Sequence, residues 1–180
     1  MNEVLKAIAD RRSIRSYTDE PLTDDQLNAL INAAQQAPSA VNRQPYHFTF
    51  VRNAALLREF SEDYRKIAAA AGRSFEDPNF DVLRGATSAC FIFAVIPYVF
   101  TPVDCGIAVE NLALAAHSMG LGSVILGMPR DIFNSELKDK WLKKLDVPEG
   151  GEFAIAIGIG VPRASKEAHP VREGLVTVID

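Results

Sequence analysis

Ser88-Ala89-Cys90-Phe91-Ile92-Phe93-Ala94-Val95-Ile96 is an unbroken apolar run of strand-forming residues. A strand with one wet face would alternate apolar and polar residues, so this run reads as a central strand covered on both faces. Upstream, Asn2 can cap a first helix, Glu3–Asp10, which gathers Val4, Leu5 and Ile8 on one side. Thr23-Asp24-Asp25-Gln26 has the spacing of a capping box, and Leu27, Leu30, Ile31 and Ala34 form the stripe of the helix it opens, closed by Pro38. His47–Arg52 reads as a strand, and Asn53 caps a long helix bearing Leu56, Leu57, Phe60, Tyr64 and Ile67 up to Gly72. Arg73–Gly85, with Pro78 and Asn79, is a loop or short helix.

Downstream, Thr101-Pro102-Val103-Asp104 opens another helix with a capping Thr, an early Pro and an acid near the positive helix end. It runs to about Met119, stopped by Gly120. Ile107, Ala108, Leu112, Ala115 and Ala116 spread small or apolar groups around much of its circumference, which implies burial on more than one side, under a sheet or against a second subunit. Gly122–Gly127 is a short strand, and Arg130–Leu145 is helical with Ile132, Phe133, Leu137, Trp141 and Leu145 inward. In Phe153–Val161, large residues (Phe153, Ile155, Ile157, Ile159) alternate with small ones, so one face fills a core while the other lets something approach closely. Leu175–Ile179 reads as a fifth strand. Strands separated by helices specify an α/β (α+β) sandwich, a mixed central sheet of about five strands flanked by helices, in one domain over residues 1–180.

Composition narrows the function classes. The 19 basic residues are outnumbered by 23 acidic ones, for a net charge of −4, which disfavours a nucleic-acid partner. The start Met1-Asn2-Glu3-Val4-Leu5 lacks the pattern of a secretory signal, and the apolar stretch Ala89–Val99 is too short to span a bilayer and contains Pro97. A cytoplasmic protein with no membrane association is expected. Cys90 and Cys105, the two cysteines, have no metal or redox spacing, and His47, His117 and His169 are scattered, so no metal site is expected. His117, late in its helix, reads as a packed or interface residue. Gly120-Leu121-Gly122-Ser123 lacks the third glycine of a dinucleotide fingerprint, and there is no P-loop or nucleophile elbow. No side chain is read as catalytic, so an enzyme of this sequence would take its chemistry from a cofactor.

Two segments offer the means to hold one. Arg11-Arg12-Ser13-Ile14-Arg15 crowds three guanidiniums around a hydroxyl, a set that matches an anion bidentately; the alternative is a solvated patch paired with Asp10, Asp19 and Glu20. Pro38-Ser39-Ala40-Val41-Asn42-Arg43-Gln44-Pro45-Tyr46 is a proline-bracketed polar loop with the donors and acceptors needed to read the edge of a heterocycle; the alternative is a turn whose Ser39 and Asn42 satisfy its own backbone.

Taken together, R-R-S-I-R-x-Y (Arg11–Tyr17), P-S-x-x-N-x-Q-P-aromatic-x-F (Pro38–Phe48), D-x-G-I-A-x-x-N-L-x-L-A-A-x-x-x-G-L-G-S (Asp104–Ser123) and a late proline-arginine segment resemble the nitroreductase family in its order over nearly the whole chain. The resemblance implies a nitroreductase-like fold and a homodimer with FMN at the subunit interface. It implies that Arg11 and Ser13 hold the phosphate or ribityl chain, that Arg15 faces the pyrimidine edge, and that Arg172 completes the phosphate clamp. Ser39 and Asn42 would approach the flavin from the other subunit with Gln44 supporting them, while the backbone of Ile125, Leu126 and Gly127 would line the ring. Arg15 would then stabilise the negative charge of the reduced ring as electrostatic support. The activity implied is hydride transfer from NADH or NADPH through flavin N5 to a nitroaromatic, quinone or activated alkene, by double displacement.

Departures from the pattern are Tyr46 where the family often has Trp, Ala40 in place of a frequent second serine, and Pro170 where a late lysine would stand. The connection Pro97-Tyr98-Val99-Phe100-Thr101 is short where many relatives carry a helical roof, so Tyr98 and Phe100 are the expected substrate-pocket cover. Reductive dehalogenation or flavin cleavage is an alternative chemistry, and a non-catalytic flavin-binding or sensing protein is the alternative class. Arg12 has no assigned flavin contact and is expected to point toward a carboxylate.

Overall fold

The computed structural model describes residues 1–179. Helices α1 (Glu3–Asp10) and α2 (Asp24–Gln35) lead through a short 3-10 turn to β1 (Tyr46–Val51), then α3 (Ala54–Ala70), β2 (Ser88–Ala94), α4 (Thr101–Ser118), β3 (Gly122–Leu126), α5 (Arg130–Phe133), α6 (Lys138–Lys144) and β4 (Glu152–Gly160). The local signals act as their chemistry requires. Asn2 accepts from Leu5 N at 2.9 Å and Asn53 accepts from Ala55 and Leu56. The Thr23–Gln26 box closes in both directions. Thr101, expected as a cap, instead donates its hydroxyl to Ile96 O at 2.8 Å and fastens the helix start to the end of β2. The stretch Arg130–Leu145 divides into two helices, with Ser135 Oγ accepting from Leu137 N at the break.

The sheet corrects two expectations. It has four strands in the order β1-β2-β4-β3, and every neighbouring pair is antiparallel. Strand–helix–strand alternation reads as parallel neighbours, and β2 and β3 do run in the same direction on either side of α4. The last strand, β4, inserts between them and is antiparallel to both. Leu175–Ile179 forms no strand among the described residues, and Leu175, Val176, Val178 and Ile179 are exposed. A strand needs a neighbour for its amides and carbonyls, and none of the described strands pairs with this segment.

β2 lies in the middle of the sheet and feeds two cores by alternation. Ala89, Phe91 and Phe93 face the α3, α5 and α6 side, where Phe60 meets the Trp141 ring edge-on at 4.7 Å and Phe133 stacks on Phe153 at 4.8 Å. Cys90 and Ile92 face α2 and α4, packed among Leu30, Ala34, Ala108, Leu112 and Ala116. Cys90 is a buried hydrophobe, and the apolar surroundings push its thiol pKa upward. Phe153 was expected on the same face as Ile155, Ile157 and Ile159. A register shift opposite Ile92 and Phe93 puts an extra residue into β4, which turns Phe153 into the aromatic core. The small face of β4 is approached by its own chain: a Cβ on Gly158 would meet Leu83 O and Ala86 at 3.0 Å, and one on Gly160 would meet the Tyr17 ring at 3.0 Å.

Candidate functional site

The Arg11–Arg15 segment leaves α1 and lies against the start of β3. Ile14 N donates to Ser123 O at 2.9 Å, and Ser13 bridges Ser123 in parallel. Gly122 permits this approach, because a Cβ there would meet Ile14 at 3.0 Å and Pro162 at 3.1 Å. Tyr17, buried, donates its hydroxyl to Ile14 O at 2.6 Å. The arginines are therefore presented from a backbone fixed to the sheet.

Their partners differ from expectation. Arg11 takes the carboxylate: its Nε lies 3.1 Å from Glu110 Oε1 on α4. Arg12 curls back onto the end of α1, donating Nη1 to Ala9 O at 2.6 Å and Arg11 O at 2.7 Å. A helix terminus leaves carbonyls without intrahelical donors, and Arg12 is near enough to supply them. Asp10 is occupied by Lys6. Arg11 and Arg12 both keep a buried Nε without an aligned hydrogen bond, and Arg15 is exposed, with Nη1 3.2 Å from Ser13 O.

Two cavities of about 380 Å³ each adjoin this segment. Arg11, Arg12 and Lys166 border both; His117 and Gly120 border the first, and Ser13, Arg15 and His169 the second. Lys166 is thus a late lysine that sequence reasoning missed. Its signal was the three-residue spacing of Arg163, Lys166, His169 and Arg172. Arg172, the expected clamp residue, lies in the exposed tail and borders neither cavity, although its neighbour Val171 borders the second.

The polar loop is built on left-handed backbone at Val41, Asn42 and Gln44, with φ of 49°, 53° and 47°. It holds its shape by internal bonds: Gln44 N donates to Ser39 Oγ at 2.9 Å, and Gln44 Nε2 to Asn42 Oδ1 at 2.9 Å. Gln44 therefore supports Ser39 and Asn42. Tyr46 donates to Ala37 O at 2.8 Å; burial raises its phenol pKa, against a hydrogen bond with Ser39 that lowers it. The start of α4 secures the loop from outside: Asp104 Oδ1 accepts from Ala40 N at 3.1 Å, and Arg43 lies 4.4 Å over the Tyr98 ring. Phe100 is half exposed and, with Ser39, Ala40, Val103 and Ile107, lines a further cavity of about 280 Å³.

At the far end of β3, Ile125 is 37% exposed while Val124 and Leu126 are buried. Gly127 is exposed and has open space where a side chain would be. The backbone there is accessible to a flat ligand. Arg11, Ser13, Arg15 and β3 are thus brought together, whereas Ser39, Asn42 and Gln44 are not beside them. The loop sits at the first turn of α4, and the arginines meet that helix from Glu110 to its C-terminal end. The 18 residues of α4 extend about 27 Å.

The donor set fits a phosphorylated flavin: the Arg11 and Arg12 guanidiniums with Lys166 around the cavities for a dianion, and an open strand backbone for a ring edge. The model of the nitroreductase family matches residues 8–161. An Archaeoglobus fulgidus protein provisionally named NADH dehydrogenase/NAD(P)H nitroreductase is 35% identical over 175 residues, covering 94% of this chain and 91% of its own. The NAD(P)H-type FMN reductase of Bacillus subtilis is 30% identical over 194 residues, covering 97% and 73%. A crystal structure of a nitroreductase with bound FMN from Desulfitobacterium hafniense superposes with a TM-score of 0.89 at 30% identity over 100% of both chains. The chain belongs to the nitroreductase family, and it is an oxidoreductase of that class. Among the described residues no helix is long and apolar enough to cross a membrane, and no group of three or more His, Cys, Asp or Glu side chains could hold a metal ion.

Proposed function

We propose that residues 1–180 form one FMN-binding domain that acts as a homodimer, passing reducing equivalents from NADH or NADPH to a nitroaromatic, quinone or activated alkene. One observation carries the dimer. The two donor sets lie toward opposite ends of α4, and the face of α4 between them is apolar yet exposed at Val103 and Ile107. α1 touches α4 and exposes Val4, Leu5 and Ile8, with no buried residue of its own. A second copy related by a two-fold axis would cover this surface and bring its loop to the first copy's arginines.

In that assembly Arg11 and Ser13 bind the phosphate and ribityl groups, Arg11 through its terminal nitrogens while Nε stays on Glu110. Lys166 shares that charge, and Arg172 joins it from the tail. Arg15 places positive charge at the pyrimidine edge. Ile125, Leu126 and Gly127 give one wall, and Ser39 and Asn42 of the second copy give the other, with Gln44 behind them. Tyr98 and Phe100 exclude water from the mouth. FMN, when bound, supplies the hydride chemistry at N5, which no side chain here can supply. Donor and acceptor would use the same cleft in turn, giving double-displacement kinetics.

The test is anaerobic stopped-flow mixing of the flavin-loaded protein with NADH and with NADPH, beside light scattering for mass. Bleaching of the flavin absorbance by either nucleotide and a dimeric mass are expected. No bleaching with both would sink the reductase reading and leave a flavin-binding protein; a flavin-loaded monomer would sink the shared site.

A further inference from the structure

We propose that Asp104 is a positioning residue for the flavin-facing loop, acting through the Ala40 amide. The inference rests on the reading above that this loop faces FMN. Asp104 is 2% exposed, and only one of its oxygens is used: Oδ1 accepts from Ala40 N at 3.1 Å, while Oδ2 is buried without a hydrogen bond. Burying a half-satisfied carboxylate is costly, and an apolar side chain would pack this site against the sheet with less penalty. The place in the first turn of α4 offsets part of that cost through the positive helix end. What the charge adds is a firm hold on the one amide that ties the loop's 3-10 turn to the helix.

That hold matters because the loop is strained. Val41 is β-branched and left-handed, and two further non-glycine residues share that region. Such backbone persists only where the surroundings over-determine it. The Ser39–Gln44 and Asn42–Gln44 bonds lie within the loop, so they fix its shape without fixing its place. Asp104 and the Arg43–Tyr98 stack attach it to the segment that begins α4. The same helix carries Glu110 against Arg11. α4 is therefore the common ruler for both donor sets, and Asp104 is its mark at the loop end.

The test is FMN affinity of the full-length chain by flavin fluorescence quenching, with thermal unfolding of the flavin-free protein in parallel. Asp104→Ala should weaken FMN binding about tenfold, the value of one charge-assisted hydrogen bond. Asp104→Asn keeps a carbonyl oxygen for the Ala40 amide but not the charge, and should recover part of that loss. Ala40→Pro removes the donor from the other side; Ser39 is extended (ψ 154°) and Ala40 opens the turn, where proline is accepted. It should weaken binding to a similar extent, and Asp104→Ala with Ala40→Pro should be no worse than the weaker single variant. Unchanged affinity in Asp104→Ala, no recovery in Asp104→Asn, or additive losses in the pair would each overturn the proposal. If Asp104→Ala does not fold, Ala40→Pro decides alone, and wild-type affinity there overturns it. A wild-type protein that binds no FMN instead refutes the reading of the loop itself, and the role of Asp104 falls with it.

Discussion

One face of the sheet is closed by α3, α5 and α6, where Phe60, Tyr64 and Trp141 of the helices meet Phe91 and Phe93 of β2, all at most 1% exposed. The other carries α2 and α4, packs with alanines and leucines, and ends in an outer surface where Val103, Ile107 and the apolar side of α1 stay exposed. Both donor sets proposed for the cofactor border this second layer. The first face is covered within one chain; the second leaves apolar surface exposed and borders the proposed site. Even the buried charges follow the division. On the closed face, burial raises the Asp63 carboxyl pKa, but hydrogen bonds from Lys140, Lys66 and Trp141 outweigh it and hold the value below the usual range. On the open face, Asp104 is left with a spare oxygen.

Changes on the two faces should therefore be separable. Val103→Glu with Ile107→Glu puts charges into the proposed subunit contact, where leaving each buried and unpaired would cost about 3–5 kcal/mol. Loss of the dimer by light scattering and release of flavin are expected, with the far-ultraviolet dichroism kept. A flavin-loaded dimer in that variant would break the comparison. Trp141→Ala should lower unfolding free energy by about 3–5 kcal/mol in denaturant titrations while the folded protein keeps its FMN affinity. Loss of affinity at full folding would mean that the closed face also shapes the site.

Asp63→Asn sharpens the closed face further, through pH. A folded-state pKa held below the usual carboxylate value of 3.8 stabilises the protein above that value, and the contribution disappears as pH falls through the folded pKa. The variant should be about 1–3 kcal/mol less stable than wild type at neutral pH, and the gap should close in acid; a gap independent of pH would remove the charge from the account. The smallest effect is expected at Arg15→Ala. FMN should stay bound while its two-electron midpoint potential falls by about 30 mV, equivalent to 1.4 kcal/mol. An unchanged potential would take Arg15 away from the ring.

Much of the architecture was legible because its signals are local. Caps at Asn2, Thr23 and Asn53 depend on residues two to three positions away. The covered strand Ser88–Ala94 announces itself by composition, since both faces of each residue pair must be apolar. Strand order was not legible: β4 arrives last and enters between β2 and β3, a choice made by packing across the sheet. The shift in β4 that redirects Phe153 has no local marker in Phe153–Val161. In the site, the residue types were legible and their partners were not. Arg11 meets the kind of carboxylate expected for Arg12, because α4 delivers Glu110 to it, while the end of α1 delivers carbonyls to Arg12.

Periodicity, caps and motif spacing are written within short stretches of chain, so most element types, the two segments proposed to hold the cofactor and the resemblance to the family can be read from residue order alone. Long-range packing brings the arginines to the sheet through Ser13 and Ser123, puts Lys166 rather than Arg172 beside their cavities, and sets Asp104 against the loop. Those contacts join residues far apart in sequence. Each depends on where β4 and α4 come to rest, and that is settled by burying two faces of one sheet at once.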